Sequence, residues 1–327
     1  MKHVSILLLN DVNLGSMENA RQGLLEANEY LKAHNQADFF KVELVGLTSD
    51  VKLNKGLYAV RPEKLISQVT HTDMIIIPPV QNDISQALKN NSDFIPWIIA
   101  KHKEGAEVVS LCLGAFLLAC TGLLNGKDCV THWKAAHQFQ QLFPETRLMP
   151  DKLLTDDDGI YTGGGAFSSA NLILYLIEKN IGREAAIFCS KVFQIDVGRD
   201  SQSPFIIFTG QKEHPDEGIK VLQSYIENNY RDKISVSSLC KNHGIGRRTL
   251  ERRFKKATGN TVVEYLQRVK VEAAKRELEK GYKTVSEVMF DVGYTDDKSF
   301  RNVFRKYAGM SPANYRMKYA KEGVEAA

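Results

Sequence analysis

An open three-layer α/β sandwich on a mostly parallel sheet, followed by an all-α domain with two helix-turn-helix motifs, is the fold the 327-residue sequence predicts. Three observations predict it. The first 190 residues alternate short runs rich in Val, Ile and Leu with longer amphipathic stretches, as when helices join parallel strands. The last third reads as short helices separated by glycine-bearing turns. That last third also repeats itself.

Taken in order, strands are expected at Val4–Leu9, Lys41–Leu47, Met74–Pro78 and Glu107–Leu111, with shorter pieces near Leu153 and Ile160. Between them Met17–Lys32, Phe94–Lys103, Ala115–Ala119 and Ala166–Lys179 return an apolar residue every three or four positions, the helical period. The segment GRDSQSPFIIFTGQKEHPDEG, residues 198–218, mixes Gly, Pro and polar residues around one strand-like apolar island and reads as a strap leading into a linker. The expected organisation is a first domain over 1–205, a linker over 206–217 and a second domain over 218–327.

The repeat aligns VSSLCKNHG (Val236–Gly244) with VSEVMFDVG (Val285–Gly293) at an offset of 49. Phe254, Gly259 and Tyr265 return as Phe304, Gly309 and Tyr315 at an offset of 50, so one residue is inserted in the second unit. In each unit a short helix, a glycine turn and a second helix match a helix-turn-helix, whose turn lets two helices pack steeply. The stretch 263–279, free of Gly and Pro, is expected as a helix that spaces the two motifs.

Net charge is +4, unevenly placed: residues 211–327 carry 24 Lys and Arg against 16 Asp and Glu, and the preceding 210 carry 19 against 23. A basic end on a mildly acidic body suggests a polyanionic partner for that end. The second helix of the first motif concentrates the charge. Leu250 and Phe254 form its core side, leaving Arg247, Arg248, Thr249, Arg252, Arg253, Lys255 and Lys256 to the rest of the circumference, with Glu251 as the one acid among them. Arginine suits such a face because its planar fork pairs with guanine O6 and N7 while its charge displaces phosphate counterions. The matching helix of the second motif is less basic: Asp297, Lys298, Ser299, Arg301, Asn302, Arg305 and Lys306 surround Phe300 and Phe304. Two such helices entering successive major-groove segments on one face of double-stranded DNA would stand roughly 34 Å apart.

Composition excludes other classes. With 43% hydrophobic and 25% charged residues the chain can bury a core and is not a low-complexity or collagen-like polymer. Five cysteines, with no C-x-x-C pair, indicate neither a disulfide framework nor a zinc site. No apolar run approaches the roughly 18 residues of a membrane helix and the start lacks a signal-peptide layout, so a cytoplasmic protein without a membrane partner is expected. No cofactor is implied.

Residues 218–320 resemble the AraC-family DNA-binding domain, including the stretches ATGNTVVEYLQRVKVEAAKRELE and YAGMSPANYR that follow the two motifs. The resemblance implies base-reading positions at Arg248, Glu251 and Arg252, and at Asp297, Lys298 and Asn302. Cys240 and Met289 stand where the family usually has a small alanine, and the large Met289 implies local repacking.

In the first domain, EVVSLCLGAFLLACTGLL puts Cys112 after a strand and before Gly114 and a helical run. Such an elbow presents a side chain at the carboxyl edge of a sheet, and a thiol there has its pKa lowered if the helix N-terminus reaches it. His132, twenty residues on, is a candidate base or ligand contact. The plainer alternative stays open: a cysteine in an apolar run is also a small core residue. Gly163, Gly164 and Gly165 either form a tight strand-to-helix turn or let backbone amides approach an anionic or amide ligand.

Residues 1 to about 200 resemble the PfpI/ThiJ-like members of the class I glutamine amidotransferase-like superfamily, on SLCLGAFLLACTGLLNGKDCVTHW, on FPETRLMPDKLLTDDDGIYTGGGAFSSANLILYLIE and on GRDSQSPF. That implies a flavodoxin-like sandwich. Enzyme members pair the elbow cysteine with a histidine and an acid; here Leu113 follows the cysteine where hydrolytic relatives have histidine, and Asp11 or Glu18 gives no clear match to the acid. The two halves in this order are similar to the GlxA family of transcriptional regulators. The resemblance implies a sequence-specific DNA-binding regulator whose first domain dimerises and senses a small effector near Cys112, Leu113, Gly114, His132, Gly164 and Gly165, with RNA polymerase as a further partner. The competing reading is a cysteine-dependent amidase or glyoxalase-like enzyme using Cys112, with an attached DNA-binding domain.

Overall fold

The computed structural model describes residues 1–81, 83–165, 169–197 and 201–320. It divides into two compact units, Met1–Gln202 and Ser203–Ala327.

In the first unit seven strands form one sheet: β1 (Lys2–Leu8), β2 (Phe40–Gly46), β3 (Lys64–Leu65), β4 (Met74–Ile77), β5 (Glu107–Leu111), β6 (Leu154–Asp157) and β7 (Ile160–Gly163), in the order β6-β7-β5-β4-β1-β2-β3. Every neighbouring pair runs parallel except the β6–β7 hairpin. The central β4 is buried at all four positions, which is why it reads as an unbroken apolar run rather than an alternation. Among the described residues seven α-helices accompany the sheet: α1 (Leu14–Ala33), α2 (Ile84–Asn90), α3 (Phe94–Lys103), α4 (Gly114–Cys120), α5 (Ala136–Leu142), α6 (Ser169–Asn180) and α7 (Arg183–Val192). One group, α1, α6 and α7, packs together; a second group packs α2 and α3 on α4. Strand order reverses between β1 and β4, the place where open α/β sheets leave a crevice at the strands' carboxyl ends.

Several elements escape the sequence reading for physical reasons. Helix α2 buries only Ala87, and α7 buries the small residues Ala185, Ala186, Cys189 and Ser190, so neither shows a strong apolar stripe. The helix expected from Ala166 is described from Ser169, and residues 166–168 lie outside the described residues, as do the first three positions of the 198–218 strap.

The second unit begins within that strap, at Ser203. Its apolar island is not a strand: Ser203–Phe205 is a single 3-10 turn, and Phe208 packs edge-on against Tyr265 with ring centroids 5.1 Å apart. The Phe208 N–H donates to Glu272 at 3.1 Å, Lys275 donates to the Ile206 carbonyl, and Gln223 donates to the Gln211 carbonyl. The linker expected over 206–217 is therefore fixed to the helical unit by a buried polar network that composition does not reveal, and its last residue, Glu217, already opens α8.

Seven helices follow: α8 (Glu217–Asn229), α9 (Val236–Asn242), α10 (Arg247–Thr258), α11 (Val262–Lys280), α12 (Val285–Asp291), α13 (Asp297–Ala308) and α14 (Pro312–Tyr319). Their starts are written in the sequence as capping residues. Thr261 with Glu264 and Thr284 with Glu287 form capping boxes, and Ser311 accepts from the Asn314 N–H. Two small cores result. Ile219, Leu222, Ile226, Leu239, Leu250, Phe254 and Tyr265 form one; Val271, Leu278, Val288, Met289, Phe300, Phe304 and Tyr315 form the other. Helix α11 feeds its first half into one core and its second half into the other, so it spaces the motifs as a rigid member. Met289 is taken into the second core without interrupting α12. The turn of the second motif requires glycine: Gly293 has φ +74°, and a Cβ there would strike the Arg231 carbonyl.

Candidate nucleic-acid interface and elbow site

Helices α10 and α13 are both twelve residues long and bury matching positions: Leu250, Phe254, Ala257 and Thr258 in one, Phe300, Phe304, Tyr307 and Ala308 in the other. Gly259 and Gly309 close them in the left-handed conformation. The buried aromatic pair fixes how each helix is rolled, and hence which residues face outward.

On α10 the outward residues are Arg247, Arg248, Thr249, Glu251, Arg252, Lys255 and Lys256, all exposed. Arg247 is committed to Glu251 one turn on, at 2.9 Å. Arg248, Arg252, Lys255 and Lys256 have no carboxylate in ion-pair range among the described residues, and with Thr261, Val262 and Val263 they border an open groove of about 670 Å³. Four uncompensated cations on one helix form a strong anion-attracting surface. Arg253, expected on that face, is withdrawn from it. Its guanidinium makes two bonds to Asp216, one of 2.9 Å from Nε, and Asp216 also caps α8 through the Ile219 N–H. This pairing joins the end of the strap to α10 and holds the Asp216 carboxyl below its ordinary range.

On α13, Asp297, Lys298, Ser299, Arg301, Asn302, Arg305 and Lys306 are exposed. Asp296 accepts from the Ser299 N–H at 2.6 Å as the helix cap, and Arg301 pairs with Asp297, also at 2.6 Å. Positions 247 and 251 of the first helix correspond to 297 and 301 of the second, so the same one-turn ion pair occurs twice with its polarity reversed.

The elbow forms as expected from the strand-turn-helix pattern. Cys112 has φ +53°, a conformation non-glycine residues rarely adopt, and donates its N–H to the Gly163 carbonyl at 2.7 Å. Gly114 is required behind it, since a Cβ would run into the Ile77 carbonyl. The thiol is not activated. Cys112 is 3% exposed, and burial pushes its pKa up to about 12. Leu113 packs partly against the core.

The other expected partners do not assemble into a triad. His132 is half-buried and accepts the Lys134 N–H through Nδ1 at 3.1 Å; burial, with Lys134 nearby, lowers its pKa. Among the described residues no hydrogen bond links it to Cys112. Glu18 is taken by Arg21, both bonds 2.8 Å, which holds its carboxyl below the usual range. Asp11 sits in a left-handed turn whose carbonyl accepts from the Gln81 N–H.

What does converge on the elbow is Thr131, Gly164 and a residue the sequence reading did not single out, Gln202. The Thr131 hydroxyl donates to the Cys112 carbonyl at 3.1 Å, and the Thr131 carbonyl accepts from Gln202 Nε2 at 3.2 Å. The Gln202 amide occupies the space where a Cβ of Gly164 would lie. Gly164 itself donates to the Leu153 carbonyl, and the Gly165 carbonyl accepts from the Ser169 hydroxyl. Gly164 therefore makes room for a side chain of the same chain. A glutamine ninety residues from the elbow carries no local sequence signal.

Residues 23–179 match the DJ-1/PfpI family model and residues 239–318 match a helix-turn-helix domain model. Over 96% of its length the chain is 24% identical to the HTH-type transcriptional regulator GbdR of Pseudomonas aeruginosa, spanning 83% of that protein. It is 21% identical to the HTH-type transcriptional regulator GlxA of Rhizobium meliloti over 65% of each chain. The crystal structure of an AraC family transcriptional regulator from Pseudomonas putida superposes with a TM-score of 0.51 at 19% identity, covering 59% of this chain and 100% of that one.

Proposed function

We propose that this chain, a DJ-1/PfpI domain joined to an AraC-type helix-turn-helix domain of the kind found in transcriptional regulators, reads a bipartite site on double-stranded DNA with α10 and α13. The observation that carries the reading is the duplicated, outward-facing helix pair with Arg248, Arg252, Lys255 and Lys256 left uncompensated on α10. Arg248, Thr249, Glu251 and Arg252 on α10 and Asp297, Lys298, Ser299 and Asn302 on α13 are the base-edge candidates. Lys255, Lys256 and Arg305 are placed to take phosphates.

The first domain, on this reading, binds a small effector at the elbow, pairs two copies of the chain and performs no catalysis. A thiol with its pKa near 12, a histidine used as a backbone cap and an acid tied to arginine support binding over chemistry. Effector binding alters DNA affinity only by favouring one arrangement of the protein over another. The protein acts in the cytoplasm, with RNA polymerase as the partner at a promoter; no described helix is long and apolar enough to cross a membrane.

The test is recovery of genomic DNA fragments by purified full-length protein at two salt concentrations, with Arg252→Ala as control. A compact enriched motif that the control loses supports the reading. Uniform, salt-sensitive recovery without a motif overturns it.

A further inference from the structure

We propose that Gln202 is a built-in occupant of the elbow site, and that the position it fills takes the ammonium group of a small primary amine, whose entry expels Gln202. The inference rests on the reading of the first domain as an effector sensor and names the effector's chemistry.

Three backbone carbonyls converge on one nitrogen. Gln202 Nε2 lies 3.2 Å from Thr131 O, 3.0 Å from Lys152 O and 3.4 Å from Pro150 O. A primary amide has two protons for these three acceptors, so one carbonyl is always left short. Its other end is worse served: Gln202 is 2% exposed and its Oε1 is buried without a partner among the described residues. An occupant with too few donors and an unsatisfied acceptor is a poor match for a ring of acceptors. An alkylammonium brings three N–H donors, one for each carbonyl, a positive charge that strengthens all three bonds, and no acceptor to leave stranded. The room is already made, because Gly164 lacks the Cβ that would close it.

Gln202 also sits where its expulsion has an outlet. Its N–H donates to the Asp151 carbonyl at 2.9 Å, the Ser201 hydroxyl donates to the same carbonyl, and Ser201 bridges to Lys152. The next residue, Ser203, opens the helical unit, where Ser203 and Pro204 lie against Gly309 at the end of α13. Movement of residue 202 is thus passed along the backbone to a turn seated at the foot of a DNA-reading helix.

The experiment uses full-length wild type and Gln202→Ala, with n-propylammonium chloride, tetramethylammonium chloride and propionamide as probes in calorimetric titrations. Gln202→Ala is expected to bind n-propylammonium saturably and at least tenfold more tightly than wild type, which must first eject its own side chain. Tetramethylammonium, equal in charge but without N–H donors, gives no saturable binding. Failure of n-propylammonium to saturate Gln202→Ala, or binding of propionamide as tight as that of the ammonium, overturns the proposal. A second readout needs no variant: amide exchange in wild type at saturating n-propylammonium is expected to quicken at Gln202, and unchanged exchange there overturns the proposal. Wild-type DNA selection is scored in parallel. A recovered motif without any amine response leaves the regulator standing and removes only this assignment.

Discussion

Glu272→Ala should unfold the helical unit early, and the size of the effect follows from what the carboxylate holds. Glu272 accepts from Lys275 Nζ and from the Phe208 N–H, both at 3.1 Å, and the two side chains are 10% and 5% exposed. Removing one partner of a buried pair typically costs about 3 to 5 kcal/mol, because the other charge stays buried and uncompensated. Lys275 keeps the Ile206 carbonyl as an acceptor, which places the expected loss at about 3 kcal/mol, the low end of that range. For a helical unit of roughly 120 residues, unfolding entropy near the midpoint is about 0.25 kcal/mol/K, so the loss lowers Tm by about 12 °C. Scanning calorimetry of the full-length protein reads this directly. Replacing both charges with apolar groups, Glu272→Leu with Lys275→Met, should recover more than half of the loss, since an apolar pair leaves no stranded charge. A single variant within about 3 °C of wild type would refute the reasoning, as would a double variant no more stable than the single.

Five further outcomes are expected. Arg252→Ala should weaken binding to the selected motif by about 1 to 3 kcal/mol and relax base preference, read by fluorescence anisotropy on specific and random duplexes; equal losses on both would make Arg252 a phosphate contact. Lys255→Ala or Lys256→Ala should flatten the dependence of affinity on salt by about one ion per lysine while preserving preference, and an unaltered slope would remove them from the backbone contacts. Arg253→Ala, in contrast, should lower thermal stability through loss of the Asp216 pair while leaving base preference near wild type. The buried Cys112 should resist iodoacetamide near neutral pH while exposed Cys120 reacts. Because folding raises the Cys112 pKa to about 12 from an unpaired value near 9, its contribution to stability is full below pH 9 and is lost as pH rises toward 12. Cys112→Ala should accordingly reduce the alkaline fall in stability, by at most about 1.4 kcal/mol per pH unit.

The periodic parts of the fold were legible. Phe94–Lys103 appears with the limits the apolar spacing predicts, and α11 matches the expected spacer within one residue at either end. The repeat was legible as well, down to the extra residue: four residues separate α9 from α10 and five separate α12 from α13. Legibility failed where the determinant is non-local. Nothing near Arg253 announces that Asp216, 37 positions earlier, turns it away from the basic face. Nothing near Gly164 announces that the amide of Gln202 fills the space beside it. What orders the strap is hidden for a related cause. Its Gly, Pro and polar residues are those of a free linker, and what ties it down is a pair of backbone groups, Ile206 O and Phe208 N, met by charges on a helix more than sixty positions away.

The reversed ion pairs on α10 and α13 give the molecule a direction. With Arg247 and Glu251 on one helix and Asp297 and Arg301 at the same stations on the other, exchanging the two helices end for end would set acid where base had been. On the proposed reading, one copy laid along a duplex has a leading and a trailing half, and the stretch that one copy takes is an arrow rather than a palindrome. On the same reading, flipping such a site in place, with its distance to a gene unchanged, exchanges which of α10 and α13 lies nearer that gene.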